Sequence, residues 1–134
     1  MEPKLLIIRG IPGSGKSTLA KKIAVKFGVA HFENDQFLMH GDKYVWTPDD
    51  AKAAAKKCFD SVMQTLRSGK DCIVSNVFVT RKAVDKYANA AKKLGAKVMV
   101  MRMEHDYGNV HDVPAGTLAS MKRAFQDYDG ELIR

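Results

Sequence analysis

Cysteine is scarce in this chain of 134 residues: there are only two, Cys58 and Cys72, in different predicted elements and without metal-ligand spacing. That argues against a disulfide scaffold, and a reduced, cytoplasmic protein is expected. Acidic residues are the minority, 15 Asp and Glu against 22 Lys and Arg, for a formal net charge of +7. Such a balance suits an anionic partner, nucleotide or nucleic acid. Lysines such as Lys56, Lys57, Lys92 and Lys93 fall in helical segments, where solvating a helix face is the plainer role. No apolar run approaches the length of a membrane span, so no membrane partner is expected. Met1-Glu2-Pro3-Lys4 leads directly into a predicted strand, and no signal peptide is expected either. Repeats, low-complexity tracts and linkers are missing as well. With 46% hydrophobic residues, residues 1–134 are expected to form a single domain.

What the chain does have begins at once. Leu5 to Ile8 is an unbroken apolar run, as a strand buried on both faces of a parallel sheet should be. It leads into Gly10-Ile11-Pro12-Gly13-Ser14-Gly15-Lys16-Ser17, which fits G-x-x-x-x-G-K-[ST], the phosphate-binding loop. Ser17 to Phe27 then reads as a helix, with Leu19, Ala20, Ile23, Ala24 and Phe27 at helical spacing and Gly28 as its stop. Glycines allow the backbone to turn tightly and approach an anion, and the N–H groups opening the helix face the phosphates. Gly13, Ser14, Gly15, Lys16, Ser17 and Thr18 are therefore the expected nucleotide-binding residues. Lys16 would reach the β- and γ-phosphates, and the Ser17 hydroxyl would ligate Mg²⁺, making ATP and magnesium the expected cofactors.

Further along, Val29 to Phe32 forms a second apolar run ending in Glu33-Asn34-Asp35. In an open α/β sheet the carboxyl ends of strands face the ligand crevice. Asp35 is thus placed to accept a proton from an attacking hydroxyl, or to cap a helix beginning at Gln36; one role does not exclude the other. Phe37 to Trp46 shows no clean period and reads as a connection over the crevice, in which Tyr44 and Trp46 either stack on a base or cover the core. Thr47-Pro48-Asp49-Asp50 is a helix start, and that helix runs to about Ser68. Asp71 to Ser75 is a third strand, and Asn76 stands where P-loop proteins often carry a magnesium-shell acid. Its contribution to a metal would come through its carbonyl or a bound water. A helix from Thr80 to Leu94 opens with Arg81, either a phosphate contact or a solvated cation. Lys97 to Met103 is a fourth strand, and a last helix near Pro114 carries Leu118, Met121 and Phe125 inward. His111 has too few metal-ligand neighbours for a zinc site, and is structural or touches substrate. The alternation predicts an α/β P-loop NTPase fold: a small parallel sheet of about four strands with helices on both faces. The first strand lies centrally, between the third and fourth.

Gly10 to Thr18, Asp35, Ile73-Val74-Ser75-Asn76 and Asn109-Val110-His111-Asp112-Val113-Pro114, in that order, resemble a compact P-loop kinase-like family. It includes the 5′-hydroxyl polynucleotide kinase domains of bacteriophages. The Ser-Asn-x-Phe segment at Ser75–Phe78 and the Asn-x-His-x-Val-Pro segment resemble a phage and bacterial subgroup of it. The resemblance implies that Asp35 matches the general base for a 5′-hydroxyl and that Lys16 and Ser17 match the phosphate and Mg²⁺ contacts. The sequence departs from the polynucleotide kinases in two places: Asn76 replaces an acid, and Glu104 to Pro114 lacks lid arginines. Arg102, Lys122 and Arg123 are the candidates to replace them. The expected function is transfer of the γ-phosphate of MgATP to an acceptor hydroxyl, with a polynucleotide 5′ end the first candidate. A small-molecule kinase acting on a nucleoside, nucleotide or sugar is the alternative, followed by an ATP-binding module of weak turnover acting through a partner.

Overall fold

The computed structural model describes residues 2–40, 43–44, 47–105 and 114–134. Trp46 and His111, along with most of the segment from Glu104 to Pro114, lie outside the described residues. Along the chain run β1 (Lys4–Arg9), α1 (Lys16–Phe27), β2 (Ala30–Phe32), a 3₁₀ turn (Asn34–Leu38), a short hairpin of β3 (Met39–His40) and β4 (Lys43–Tyr44), α2 (Pro48–Arg67), β5 (Cys72–Asn76), α3 (Arg81–Lys93), β6 (Lys97–Arg102), α4 (Ala115–Ala124) and β7 (Leu132–Ile133). A five-stranded sheet has the order β2-β5-β1-β6-β7, and every pairing in it is parallel.

β1 lies in the middle, as the phosphate-loop motif at its carboxyl end predicts. Its residues alternate between two cores. Leu5 and Ile7 point toward α2 and α3, among Cys58, Val62, Leu66, Val74, Val84 and Ala88. Ile8 points the other way, toward Ala20 of α1, with Ile73 and Met103. Burial of each such aliphatic side chain contributes roughly 1.5–3 kcal/mol before entropy is counted.

Helix ends follow local chemistry. Thr47 accepts from the Asp50 N–H at 3.1 Å at the start of α2, and Thr80 accepts from Ala83 at 3.1 Å at the start of α3. Gly28 takes φ +64° beyond α1, a backbone conformation open to glycine without penalty.

Three expectations need correction. The sheet has five strands rather than about four: β7 pairs only Leu132 with Met101 and Ile133 with Arg102, too short a stretch to leave an apolar pattern. No α-helix begins at Gln36; Asp35 sits in the 3₁₀ turn, and the next α-helix starts at Pro48. The last helix does not carry Phe125 inward, because it ends at Ala124 and none of its residues is fully buried. Phe125 instead lies extended beneath two guanidinium groups, 4.3 Å from that of Arg9 and 4.6 Å from that of Arg102. Among the described residues no helix is long and apolar enough to cross a membrane.

Candidate functional site

The phosphate loop joins the carboxyl end of β1 to the start of α1, and its glycines are where the backbone needs them. Gly13 and Gly15 take φ +86° and +88°. A Cβ on Gly10 would collide with Ser14 Oγ and lie 2.9 Å from the Met103 carbonyl oxygen. Gly15 is also the N-cap of α1, and no side chain caps that helix. Its first N–H groups therefore face the loop with the positive end of the helix behind them. Ser14 is fully buried, and its hydroxyl has no hydrogen-bond partner among the described residues. An orphaned hydroxyl and uncapped N–H groups in a tight cradle fit a bound polyphosphate.

Lys16 is 9% exposed. Burial pushes its ammonium below the ordinary lysine value, while Asp35 and then Glu33 oppose the shift.

Glu33 had no role in the sequence reading, yet it is the acid nearest Ser17. Ser17 Oγ donates to Glu33 Oε2 at 2.6 Å, and Ser75 Oγ donates to the same oxygen at 3.1 Å. His31 Nε2 lies 2.6 Å from Ser75 Oγ. Since Ser75 has one proton and gives it to Glu33, the His31 N–H is the donor in that pair. Burial pushes the His31 pKa below its ordinary value, with Glu33 opposing and Lys21 assisting. The signal that could have found Glu33 is its position at the carboxyl end of β2, where a parallel sheet presents residues to its crevice.

Asn76 ends β5, and its amide oxygen accepts from the Asn34 N–H at 2.8 Å. It therefore ties the strand end to the turn that carries Asp35. Arg81 is engaged away from the loop, its Nε donating to the Asp127 carbonyl at 3.0 Å. Arg102 pairs with Asp127 at 2.6 Å and Glu104 at 3.1 Å. Arg123 donates to Ser120 at 3.3 Å, and Lys122 lines a small cavity of 210 Å³ with Ile11 and Phe125. Both cysteines are free and buried, and burial lifts the Cys72 thiol to about 12.

Two larger cavities meet at Lys16 and Ser17. One, of 730 Å³, lies over the opening of α1 and the end of β6, lined by Gly13, Gly15, Thr18, Leu19, Lys22, Ile23, Met101, Met103, His105 and Arg134. No Asp or Glu is among its described lining residues. The other, of 1030 Å³, lies between the 3₁₀ turn, the end of β5 and the α3–α4 side, and holds Glu33, Asp35, Asn76, Phe78, Thr80 and Lys86. The structure thus brings Lys16, Ser17 and Asp35 to one place. No group of three or more metal-ligating His, Cys, Asp or Glu side chains occurs among the described residues.

A central parallel strand, a glycine cradle closed by lysine and serine, and an uncapped helix behind it define a P-loop kinase-like domain of the α/β class. The chain belongs to the AAA domain family AAA_33, whose profile matches residues 5–127. No curated protein sequence matches it significantly. Solved structures share the fold at low identity. A gluconokinase from Sinorhizobium meliloti aligns with a TM-score of 0.68 at 18% identity, over 98% of this chain and 82% of that one. Chaetomium thermophilum Kti12, solved with ADP-AlF3, aligns at 0.72 with 11% identity, over 97% and 88%. A chain of the Pnkp1/Rnl/Hen1 RNA repair complex aligns at 0.65 with 24% identity, over 93% of this chain and only 39% of that one.

Proposed function

We propose that this protein is an ATP-dependent phosphotransferase, and that its acceptor is the 5′-hydroxyl end of a polynucleotide. The observation that carries the proposal is the unequal charge of the two cavities that meet at Lys16 and Ser17. The smaller one offers Lys16, Lys22 and Arg134 and no described Asp or Glu, so it suits a triphosphate; the larger one adds Glu33 and Asp35, so it suits a hydroxyl.

In this reading the N–H groups of Gly13 to Thr18 hold the phosphates of ATP, and Lys16 balances the charge spread over the transferring group. Ser17 and Glu33, with their oxygens 2.6 Å apart, would hold magnesium, which favours hard oxygen donors. Bound there, magnesium supplies charge neutralisation at the β- and γ-phosphates. Asn76 would join that shell through a bound water or the free lone pair of its amide oxygen, whose other lone pair accepts from Asn34. Asp35 takes the proton of the acceptor hydroxyl as its oxygen bonds to the γ-phosphorus and the bridging P–O bond to ADP breaks. The net charge of +7 and the likeness to a component of an RNA repair complex favour a polynucleotide acceptor.

A small-molecule acceptor is the second reading, favoured by the near full-length likeness to a gluconokinase. The test incubates the protein with γ-labelled ATP, Mg²⁺ and a panel of 5′-hydroxyl DNA and RNA, nucleosides, nucleoside monophosphates and sugars. Label on the 5′-hydroxyl ends, lost in Lys16→Ala, is the expected result. Label on a sugar or nucleoside instead would replace the acceptor. ATP binding without any transfer would leave a nucleotide-binding module.

A further inference from the structure

The Ser75-Asn76-Val77-Phe78 segment carries a backbone feature that phosphate binding does not account for. Phe78 takes φ +47°, the one non-glycine residue with positive φ among the described residues. A bulky side chain in that region is strained, and persists only where its surroundings hold it. The hold comes from Arg9, the last residue of β1, whose side chain is fully buried.

Arg9 Nε and Nη2 donate to the Phe78 carbonyl oxygen at 3.1 and 2.7 Å. Nη2 also donates to the Gln126 carbonyl at 2.8 Å, and Nη1 pairs with Glu131 at 2.9 Å. The next residue joins in, for the Gly10 N–H donates to the Val77 carbonyl at 3.3 Å. Val77 to Thr80 form a wall of the larger cavity, which Arg9 itself does not line. The Phe78 ring packs edge-on against Tyr87, 5.3 Å between centroids, and Tyr87 lines the same cavity. A planar fork satisfied by carbonyls on one side and a carboxylate on the other is what arginine supplies and lysine does not.

We infer that Arg9 is a positioning residue for the acceptor: it fixes the Val77–Val79 wall around the strained Phe78 by tying the Phe78 carbonyl to the C-terminal segment at Gln126 and Glu131. The inference rests on the larger cavity being the acceptor site. It explains why a buried cation ends the central strand immediately before a loop that needs cations, yet turns away from it.

The test uses Arg9→Lys in the whole chain, with two readouts. Amide hydrogen exchange at Val77 to Thr80 should quicken at least tenfold, while Gly13 to Thr18 stay as protected as before. In transfer assays the acceptor KM should rise about tenfold, with kcat and the KM for ATP within about twofold of wild type. Glu131→Gln keeps the guanidinium and weakens its anchor, so it should move the same two quantities about threefold, and it serves if Arg9→Lys does not fold. Unchanged exchange overturns the inference, as does an unchanged acceptor KM. Equal rises in both KM values overturn it too, since they mean general loosening. A wild type that labels no acceptor removes the acceptor reading and this inference together. Transfer by wild type with variants indistinguishable from it removes this inference alone.

Discussion

The two cavities beside the phosphate loop share Lys16 and Ser17 and differ in almost everything else. The 730 Å³ cavity is walled by α1 and the end of β6, regular elements whose side chains were set by apolar periodicity. The 1030 Å³ cavity is walled by a 3₁₀ turn, a strand end and a strained loop. Its polar groups are knotted together by Glu33, Ser75, His31 and Asn76. The first is a generic receptacle for a polyanion. The second is an assembled site, in which Glu33 is held by Ser17 and Ser75 and the turn carrying Asp35 is tied to Asn76 through Asn34.

Four measurements would sharpen or break that contrast. The largest effect is expected from Asp35→Asn, which removes the proton acceptor. Transfer should fall by roughly 10²–10⁴-fold, with ATP affinity, read by calorimetry, within about twofold. Equal loss of both would put Asp35 on the nucleotide side. Next comes Glu33→Gln, which keeps a hydrogen-bond acceptor for Ser17 and removes the charge. Half-saturating Mg²⁺ should rise about tenfold, whereas an unchanged Mg²⁺ titration would deny Glu33 a place in the metal shell.

Lys22→Glu would put an acidic side chain where the smaller cavity has no Asp or Glu among its described residues. ATP affinity should weaken several-fold, up to about tenfold at low salt and less as salt rises. The acceptor KM should not change. A shift in acceptor KM instead would mean that the two cavities are not separate in function.

The smallest effect concerns pH. Burial holds the His31 pKa below its ordinary 6.5, so below that pH the unfolded chain binds a proton that the folded chain refuses. Stability from this group is full above about pH 6.5 and is lost as pH falls below it, by at most about 1.4 kcal/mol per pH unit. Thermal melts from pH 8 to 5 should show the decline, and His31→Asn should flatten it. A decline that persists in the variant would assign it to other groups.

Much of this arrangement was legible without coordinates. The apolar run Leu5–Ile8, the glycine spacing through Lys16 and the Thr47-Pro48 start of α2 are local signals, and each element formed where its signal lies. Placing β1 between β5 and β6 followed from the phosphate-loop motif at its carboxyl end. Asp35 was placed beside the loop because strand ends in parallel sheets face a crevice, and it does line the cavity that Lys16 and Ser17 share. Glu33 went unassigned although it follows the same strand end, since that position marks both acids as facing the crevice without saying which of them meets Ser17. Phe125 was misplaced because helical spacing continues through it while the helix does not. β7 was missed because two residues carry no periodicity.

The sequence by itself therefore determined the class of the domain and the phosphate cradle, because glycine geometry, helix capping and apolar periodicity act over a few residues. Only the tertiary structure decided which carboxylate meets Ser17, which cavity is acidic and where Arg9 turns. Those depend on contacts between residues far apart in the chain, Arg9 with Glu131 across 122 positions and Ser75 with Glu33 across 42. Such pairs follow from register and from the packing of distant elements, which no local pattern encodes.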